Sequence, residues 1–460
     1  MVRRFLIPVL LAGIVVAPGS VHAAAPAPVR GQTLMPNVVY SRQVEFTAHG
    51  PVVEHIMVGP RPTGLYALRT ILSNNAVQGT ERVTSMEKRV SGESTLAAVS
   101  AGAGAVLRGG VLDIGPSDDR SSVGVDTDGS LHVDRVSLLG TWQGSGQRRI
   151  LGVNEAPRAN HTTLYTRAWG ARTPAESGGA YAVLQPFPAS TPNTALTATV
   201  TGYLSGGNQP IPPDGAVLAA RGTQAGFLTA EAPVGSKVTV VLTLTPQWGN
   251  VSDAVGGGPL IVRSGKPVYR SFENFTSEQL AFRSARSAVG QTADGRVVFL
   301  VADGQQPGYS TGLTNFELAL TMMRLGCVTA SALASGPAST LAFDGKVLNR
   351  PSKRGERPVG AALALSYFGV YAPPLQTKAV APAGSLSVSY KLVRPSKVTA
   401  VTIGPTGDVV TVDSDTRPPG TYRFDWVALG RPAGDYTFRV TADDDRGVRS
   451  VAERDFTVHG

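Results

Sequence analysis

The chain has 460 residues, enough for two or three domains with a sizeable core. Its formal net charge is +9, but the basic residues are scattered and form no long Lys/Arg run. The sequence therefore predicts no nucleic-acid-binding surface. The single cysteine, Cys327, excludes an internal disulfide, and its apolar context predicts a buried, inert thiol. The 53 glycines and 33 prolines favour short strands joined by turns over long helices.

The first residues have the pattern of a secretory signal peptide. Arg3 and Arg4 precede an apolar stretch from Phe5 to Ala17, and Val21 to Ala23 form a small-x-small cleavage pattern. This stretch is shorter than the roughly 20 residues that span a bilayer core of about 30 Å, although an N-terminal membrane anchor is the alternative. We therefore predict a signal peptide over residues 1–23 and a secreted or cell-envelope protein without an integral membrane segment.

The composition of the region after the signal peptide predicts a flexible tail followed by short strands. Residues 24–37 begin with an Ala/Pro-rich run and are expected to be flexible, and strands and turns follow from Val38. Asp126 to Gly129, between alternating apolar residues, is typical of a hairpin turn. A calcium loop is the alternative, but this stretch lacks the other ligands of such a loop.

The middle of the chain predicts buried strands and one helix. Val238 to Leu244 and Val297 to Ala302 are apolar strand runs, and the second ends at Asp303. Thr314 and Glu317 form a capping box that begins a helix, which Gly326 ends. The apolar face expected for this helix consists of Phe316, Ala319, Leu320 and Met323.

The C-terminal part changes to clean alternation after a Pro/Ala-rich stretch. Residues 374–384 are expected to be a linker, and residues 385–460 alternate apolar and polar side chains between turns. Leu386, Val388, Tyr390 and Leu392 are predicted to share one buried face. The fold class expected for the whole chain is therefore α+β and β-rich, with a small β-sandwich at its C-terminal end.

Common catalytic patterns such as HExxH, a P-loop and CxxC are absent from the sequence. Instead, an ordered series of Gly-rich segments runs through the middle of the chain. The series is Gly152–Asn154, Leu164–Thr166, Trp169–Gly170, Thr173–Pro174, Gly256–Pro259, Arg286–Gly290, Ala293–Arg296, Val301–Gly304, Gly308–Thr314, Glu317–Ala319, Leu333–Thr340, Gly345, Asn349–Ser352 and Glu356–Val359. In order and spacing, this series resembles the phosphodiester glycosidase family over roughly residues 90 to 370.

The resemblance implies a mixed α/β glycosidase domain over residues 38–373 that hydrolyses a sugar-1-phosphodiester. The family includes an enzyme that removes N-acetylglucosamine from phosphodiester-linked mannose, and we expect no cofactor. The expected partner is a carbohydrate or sugar-phosphate polymer at the cell surface. Residues 385–460 resemble the Ig-like module of flagellar hook-capping proteins, with Trp426, Gly434 and Tyr436 in matching places.

The chemistry of such a substrate suggests roles for three residues. A phosphate ester is a good leaving group, so a cation and nearby carboxylates matter more than a strong general acid. Arg286 is the candidate phosphate clamp, with a structural ion pair as the alternative. Asp303 is the candidate catalytic carboxylate, or else a turn residue before Gly304, and Glu317 is either catalytic or only a capping residue.

The resemblance also suggests residues that contact the substrate. Ser310, Thr311 and Gly312 form a loop whose N–H groups are candidate phosphate donors, with a plain loop as the alternative. The other candidate substrate-binding residues are Gly258, Gly336, Ser339, Thr340 and Arg357. The residues suggest no particular metal site.

Two segments depart from the family pattern. Where the family has Leu-Asp-Gly-Gly-Gly-Ser, this chain has Leu333 to Ala338, so that Ala334 replaces the aspartate and Pro337 removes a backbone donor. Where the family has an Asn-Gly-Asp-Phe motif, this chain has Val99 to Gly104. The prediction is therefore a secreted phosphodiester glycosidase-like hydrolase, with a catalytically impaired glycan-binding envelope protein as the alternative. A purely structural envelope protein is a third, weaker reading.

Overall fold

The structure is a computed structural model that describes residues 31–116, 119–176, 178–268, 271–352 and 355–460. The predicted signal peptide and residues 24–30 lie outside the described residues. The described part of the chain forms one compact unit, Gly31–Gly460. Within it, no helix is both long and apolar enough to cross a membrane.

Four α-helices and many short strands make up the described residues. The helices are α1 (Val83–Val90), α2 (Thr223–Glu231), α3 (Ser277–Ala281) and α4 (Asn315–Arg324), and two short 3₁₀ turns lie at Ser73–Asn75 and Gly336–Ala338. The strands are β1 (Gln32–Met35), β2 (Val38–Thr47), β3 (Gly50–Gly59), β4 (Tyr66–Leu72), β5 (Thr95–Ser100), β6 (Gly102–Arg108), β7 (Val111–Ile114), β8 (Ser121–Asp126), β9 (Leu131–Arg135), β10 (Ser137–Gln143), β11 (Gln147–Ile150), β12 (Gly152–Val153), β13 (Thr162–Tyr165), β14 (Ala180–Leu184), β15 (Ala195–Leu204), β16 (Ala216–Ala220), β17 (Lys237–Thr245), β18 (Val251–Gly256), β19 (Leu260–Arg263), β20 (Lys266–Pro267), β21 (Arg286–Thr292), β22 (Val297–Ala302), β23 (Cys327–Ser335), β24 (Leu341–Phe343), β25 (Lys346–Val347), β26 (Ala361–Tyr367), β27 (Ala379–Val380), β28 (Ser385–Leu392), β29 (Ser396–Ile403), β30 (Val409–Arg417), β31 (Gly420–Val427), β32 (Gly434–Asp444) and β33 (Arg449–Val458).

The strands form mostly antiparallel sheets, which confirms the β-rich α+β class. A central sheet has the order β1-β2-β3-β22-β21-β23-β19-β20, and a second large sheet has the order β11-β10-β17-β15-β14-β16-β13-β12. Two five-stranded sheets, β7-β6-β18-β8-β9 and β25-β24-β5-β26-β4, pack with the central sheet around one core. This core includes Phe299 and Val301 of β22, the strand predicted from its continuous apolar run.

The first described residues correct the predicted tail. Residues Gln32–Met35 form β1, which pairs antiparallel with β2. Leu34 and Met35 are buried in the central core, because their side chains supply apolar surface that the edge of the sheet would otherwise expose. A flexible segment over the whole of residues 24–37 is therefore wrong for residues 32–35.

Helix α4 begins where the capping box predicts, but it buries a different face. The Thr314 hydroxyl accepts a hydrogen bond from the Glu317 N–H, and a Glu317 carboxylate oxygen accepts one from the Thr314 N–H at 2.8 Å. Leu318, Ala319 and Met322 pack onto the central sheet, whereas Phe316 and Leu320 are exposed. Of the predicted face, Ala319 is therefore buried in this core and Met323 packs against it, while Phe316 and Leu320 are replaced in the core by Leu318 and Met322.

The C-terminal residues form two facing sheets, β27-β33-β32-β29-β30 and β28-β31, around their own core. Leu386, Val388, Tyr390 and Leu392 are buried in that core, which confirms the predicted alternation. Val380, inside the predicted linker, is also buried, and β27 pairs with β33, so this part of residues 374–384 is ordered structure. The exact domain boundaries and the Ig-like identity of the sandwich stay predictions.

We predict that the sandwich depends on its aromatic core. Phe438 is 0% exposed between the two sheets, so Phe438→Ala should lower the free energy of unfolding by about 3–5 kcal/mol. Phe46, at 83% exposure, is the matched control, and Phe46→Ala should change it by less than about 0.5 kcal/mol. Urea unfolding followed by tryptophan fluorescence measures both, and equal losses would contradict this assignment of the core.

Candidate functional site

Three of the Gly-rich segments, Gly256–Pro259, Arg286–Gly290 and Leu333–Thr340, meet at a pocket where the central sheet approaches the sheet of β6 and β18. The pocket has an empty volume of about 590 Å³, with open solvent at its mouth included. It is lined by the start of β6, the turn between β18 and β19, the start of β21, the end of β23, and residues from α3 and α4. We call it the motif pocket; its lining residues are Gly102, Ala103, Arg120, Gly257, Gly258, Pro259, Phe275, Gln279, Arg286, Ser287, Asn315, Ala332, Leu333, Ala334 and Ser335.

Glycine is required where β6 and β18 meet beside the pocket. A Cβ on Gly256 would lie 2.2 Å from the Ala103 carbonyl carbon and 2.3 Å from the Gly104 nitrogen. Gly258 has a φ of +97°, and a Cβ there would lie 2.5 Å from a Glu273 carboxylate oxygen. The close approach of β6 and β18 therefore explains the glycines of the Gly256 to Pro259 segment. The two strands together form one wall of the pocket at this point.

Arg286 places a buried positive charge at the pocket. Its Nε donates to the Leu313 carbonyl at 3.1 Å, and its Nη2 donates to the Gln279 and Phe282 carbonyls at 2.8 Å each. No Asp or Glu among the described residues forms an ion pair with it. Burial lowers the pKa of Arg286 to about 10, which leaves the guanidinium charged at neutral pH.

Three further polar side chains reach the same pocket. The Ser287 hydroxyl and the Asn315 Oδ1 are buried, and neither has a hydrogen-bond partner within the described structure. Arg120 lies with its guanidinium 4.4 Å from the centre of the Phe275 ring and donates from Nε to the Asn274 carbonyl. Buried polar atoms without partners are uncommon in proteins, so they indicate a site that a polar ligand completes.

Both segments that depart from the family pattern line this pocket. Ala103 lies on β6, and Ala334 lies near the end of β23. The described lining residues include no Asp, Glu or His. The nearest carboxylate that the structure indicates is that of Glu273, behind Gly258, and its two oxygens accept hydrogen bonds from the Ser121 and Leu260 N–H groups at 2.7 Å each.

Asp303 lies outside the lining of the motif pocket, in a fully buried polar cluster. Its side chain is 0% exposed, and Oδ2 lies 2.9 Å from His55 Nε2. The Tyr309 hydroxyl donates to the same oxygen at 3.0 Å, while Asn349 Nδ2 donates to Oδ1 at 3.0 Å. The Arg350 N–H donates to both oxygens. These contacts favour a structural role for Asp303, so its assignment as the catalytic carboxylate stays a prediction that the geometry does not support.

The cluster around Asp303 extends outward through two tyrosines. Tyr40 lies 2.8 Å from His55 Nδ1, and Tyr309 carries the Arg350 guanidinium over its ring. Burial, followed by neighbouring charges that include Asp303, raises the pKa of Tyr40 and Tyr309. Both phenols therefore stay protonated over the physiological range and can donate hydrogen bonds.

The structure does not bring Glu317 or the Ser310 to Gly312 loop into the motif pocket. Glu317 caps α4 and forms an ion pair with Arg283. The Ser310 hydroxyl donates to the Asp303 carbonyl at 2.6 Å and accepts from the Val53 N–H, while the Thr311 N–H donates to the Pro51 carbonyl. A Cβ on Gly312 would lie 2.3 Å from the Ser284 carbonyl oxygen. This arrangement favours structural roles for these residues, so their assignment to substrate stays a prediction that the geometry does not support.

The remaining predicted residues are divided between the pocket and its surroundings. Gly258 lines the pocket, and Gly336 follows Ser335 directly, with its N–H bonded to the Ala285 carbonyl. Ser339 and Thr340 are fully buried, and Ser339 donates to the Ala334 carbonyl. Arg357 is exposed and does not line the pocket. Of the predicted residues, only Arg286 and Gly258 therefore meet in one cavity.

Sequence reasoning missed Arg120, Asn315 and His55. Asn315 stands inside the capping box, where its position at the start of a helix concealed its side chain. Arg120 and His55 are isolated residues without a motif, and Arg120 lies far along the chain from its pocket neighbour Arg286. Ser287 could have been found, because it follows Arg286 in the motif segment Arg286–Gly290, and both residues lie on β21.

Comparison with known proteins agrees with the motif resemblance. Residues 192–366 match the family model of the phosphodiester glycosidases. An SPbeta prophage-derived uncharacterized protein, YomE of Bacillus subtilis (strain 168), is 33% identical over 110 residues, which are 24% of this chain and 17% of YomE. The chain thus matches about a sixth of the length of that relative. The resemblance to the family is confirmed for the matched region, which contains most of the motif pocket.

Two solved structures share the fold. A hypothetical protein from Synechocystis superposes with a TM-score of 0.61 at 23% identity, covering 72% of this chain and 62% of that one. A putative exported protein from Burkholderia pseudomallei K96243 superposes with a TM-score of 0.56 at 21% identity, covering 68% of this chain and 74% of that one. At these identities, the likeness establishes the fold alone.

We predict that Asp303 is needed for stability. In Asp303→Asn an NH₂ group replaces one carboxylate oxygen, so either the Asn349 amide or the Tyr309 hydroxyl loses its acceptor, which should cost about 1–3 kcal/mol of unfolding free energy. Asp425, which is exposed, is the matched control, and Asp425→Asn should change stability little. Thermal unfolding measures both variants. A stable Asp303→Asn variant with reduced ligand binding would contradict the structural role.

Proposed function

Because residues 192–366 match the phosphodiester glycosidases, we propose that the motif pocket binds a sugar-1-phosphodiester, with the phosphate beside Arg286. The observation that carries this proposal is a buried guanidinium without a carboxylate partner, at a cavity built from the family's motif segments. In this proposal the protein is exported and binds phosphodiester-linked sugars of a cell-surface or extracellular glycan.

The charge of Arg286 favours an anionic ligand. A buried charge is costly unless an opposite charge and hydrogen bonds compensate it, and three backbone carbonyls supply only the hydrogen bonds. A phosphate oxygen would supply the missing negative charge, and guanidinium groups bind phosphate through well-oriented N–H donors. Arg120 adds a second positive charge on the same lining.

Unpartnered polar atoms favour a hydroxylated ligand beside that anion. Ser287 can donate or accept a hydrogen bond, and Asn315 Oδ1 can only accept one. Sugar hydroxyls supply both donors and acceptors, so a sugar phosphate would satisfy these groups together with the cation. A purely apolar ligand would leave all of them unsatisfied.

Binding without turnover fits the lining better than hydrolysis does. Departure of a phosphate ester needs little protonation, but the developing positive charge at the anomeric carbon is usually stabilised by a carboxylate. Ala103 and Ala334 stand on the lining, and the described lining residues carry no carboxylate. The protein is therefore proposed first as a sugar-phosphate-binding member of the glycosidase fold.

Hydrolysis is the second candidate function, and Glu273 is the observation that favours it. Its carboxylate lies behind Gly258, which lines the pocket. The Ser121 and Leu260 N–H groups donate hydrogen bonds to its two oxygens and hold it in place. A ligand that displaced the Gly258 turn would bring an anomeric carbon towards this carboxylate.

We predict that ligand affinity depends on both arginines of the pocket. Removing one charged hydrogen bond costs about 1.5–3 kcal/mol, so Arg286→Lys or Arg120→Gln should weaken binding of methyl N-acetylglucosamine-1-phosphate by at least about tenfold. Arg263→Gln, at an exposed site on β19, is the matched control. Calorimetry measures the affinities, and methyl N-acetylglucosaminide shows the share that the phosphate contributes. Equal affinity for the charged and the neutral sugar would contradict the proposal.

Restoring the family loop should separate the two candidate functions. Ala334→Asp with Ser335→Gly, Pro337→Gly and Ala338→Ser places a carboxylate on the pocket lining and restores a backbone donor. A binding protein should then lose affinity for the anion through repulsion, without turnover. An enzyme that lacks only this group should gain at least about tenfold in release of N-acetylglucosamine from the diester, since general acid–base groups contribute roughly 10²–10⁴-fold. Turnover by the unaltered protein, measured in the same assay, would overturn the binding assignment.

A further inference from the structure

An apolar groove adjoins the motif pocket and extends along α3 and the start of α4. It has an empty volume of about 760 Å³, with open solvent at its mouth included. Its apolar lining consists mainly of Pro259, Leu260, Ile261, Val268, Leu280 and Ala281. Pro259 and Asn315 line both the groove and the motif pocket, so the two cavities are neighbours that share a wall.

We propose that this groove binds the hydrocarbon chain of a lipid-linked sugar phosphodiester. The inference rests on the proposed function, because the phosphate beside Arg286 sets the position of the chain. A phosphodiester has two substituents on one phosphorus atom: the sugar, and the group esterified to the other oxygen. With the phosphate and sugar in the motif pocket, the second substituent can leave past Pro259 and Asn315 into the groove.

The chemistry of the two cavities differs in the way that such a ligand requires. The motif pocket carries Arg286, Arg120 and two unpartnered polar atoms, whereas the groove is lined mostly by aliphatic side chains. A polar second substituent, such as another sugar, would find few hydrogen-bond partners in the groove. A hydrocarbon chain would instead remove the aliphatic lining from water, and each buried methylene strengthens binding.

Exposed apolar residues around the groove support an apolar occupant. Phe316 lines the groove and is 39% exposed, and Phe282, which follows the last residue of α3, is 64% exposed. None of the residues of α3 is buried, so its apolar side chains Leu280 and Ala281 contribute to the groove without belonging to a core. Clustered exposed apolar side chains in an otherwise well-packed protein indicate a binding surface.

The test compares two esters of the same sugar phosphate on the mature full-length protein. The ligands are methyl and decyl N-acetylglucosamine-1-phosphate, measured by calorimetry at decyl concentrations below micelle formation. One buried methylene strengthens binding by roughly fourfold, so the decyl ester should bind at least about tenfold more tightly than the methyl ester. Leu280→Asn should abolish most of this gain and leave the affinity for the methyl ester within about twofold.

Controls keep the groove separate from folding and from the phosphate site. Leu429→Asn, at an exposed position in the turn between β31 and β32, should leave both affinities unchanged. Ala281→Gln is a second groove variant in case Leu280→Asn fails to fold. A methyl ester that binds, with no gain for the decyl ester, would overturn the lipid proposal alone. A gain that persists in both groove variants would also overturn it, and failure of the methyl ester to bind would overturn the proposed function itself.

Discussion

The buried hydrogen-bond cluster of Asp303 is the constraint on which the surroundings of the candidate site depend. One carboxylate with no exposure to water joins β3 through His55, the loop after β22 through Tyr309, and the segment after β25 through Asn349 and Arg350. These segments are far apart in the chain, and each supplies a donor that would be unsatisfied without the carboxylate. Such a cluster defines one arrangement of its loops, because partial satisfaction is costly in a buried environment.

The motif pocket differs from this cluster, because the buried charge of Arg286 has no opposite charge paired with it among the described residues. The Arg286 guanidinium is held by three carbonyls, and the polar atoms of Ser287 and Asn315 lack partners. The protein thus satisfies the carboxylate that maintains its structure and leaves the cation that faces the cavity incompletely satisfied. Polar groups whose needs a fold does not meet are a common property of ligand sites, because the ligand completes them.

The two segments that depart from the family pattern both lie at the motif pocket. Ala103 and Ala334 come from segments far apart in the chain, yet both line the motif pocket. Arg286 is retained in the same cavity, and the proposal of binding without turnover rests on this combination. The adjoining apolar groove is proposed to bind the hydrocarbon chain that is esterified to the phosphate in the motif pocket.

Local pattern by itself determined several elements of this protein. The continuous apolar run predicts β22, the capping box predicts the start of α4, and the alternation from Leu386 to Leu392 predicts β28, because each depends on residues adjacent in sequence. The motif order also predicts the family of residues 192–366. Only the tertiary structure decided that residues 32–35 complete a sheet, which stripe of α4 is buried, and that Asp303 faces His55 while Arg286 faces the pocket. Those outcomes depend on packing and desolvation in the folded molecule, as in the contact between Asp303 and His55, which lie 248 positions apart, and no local pattern encodes them.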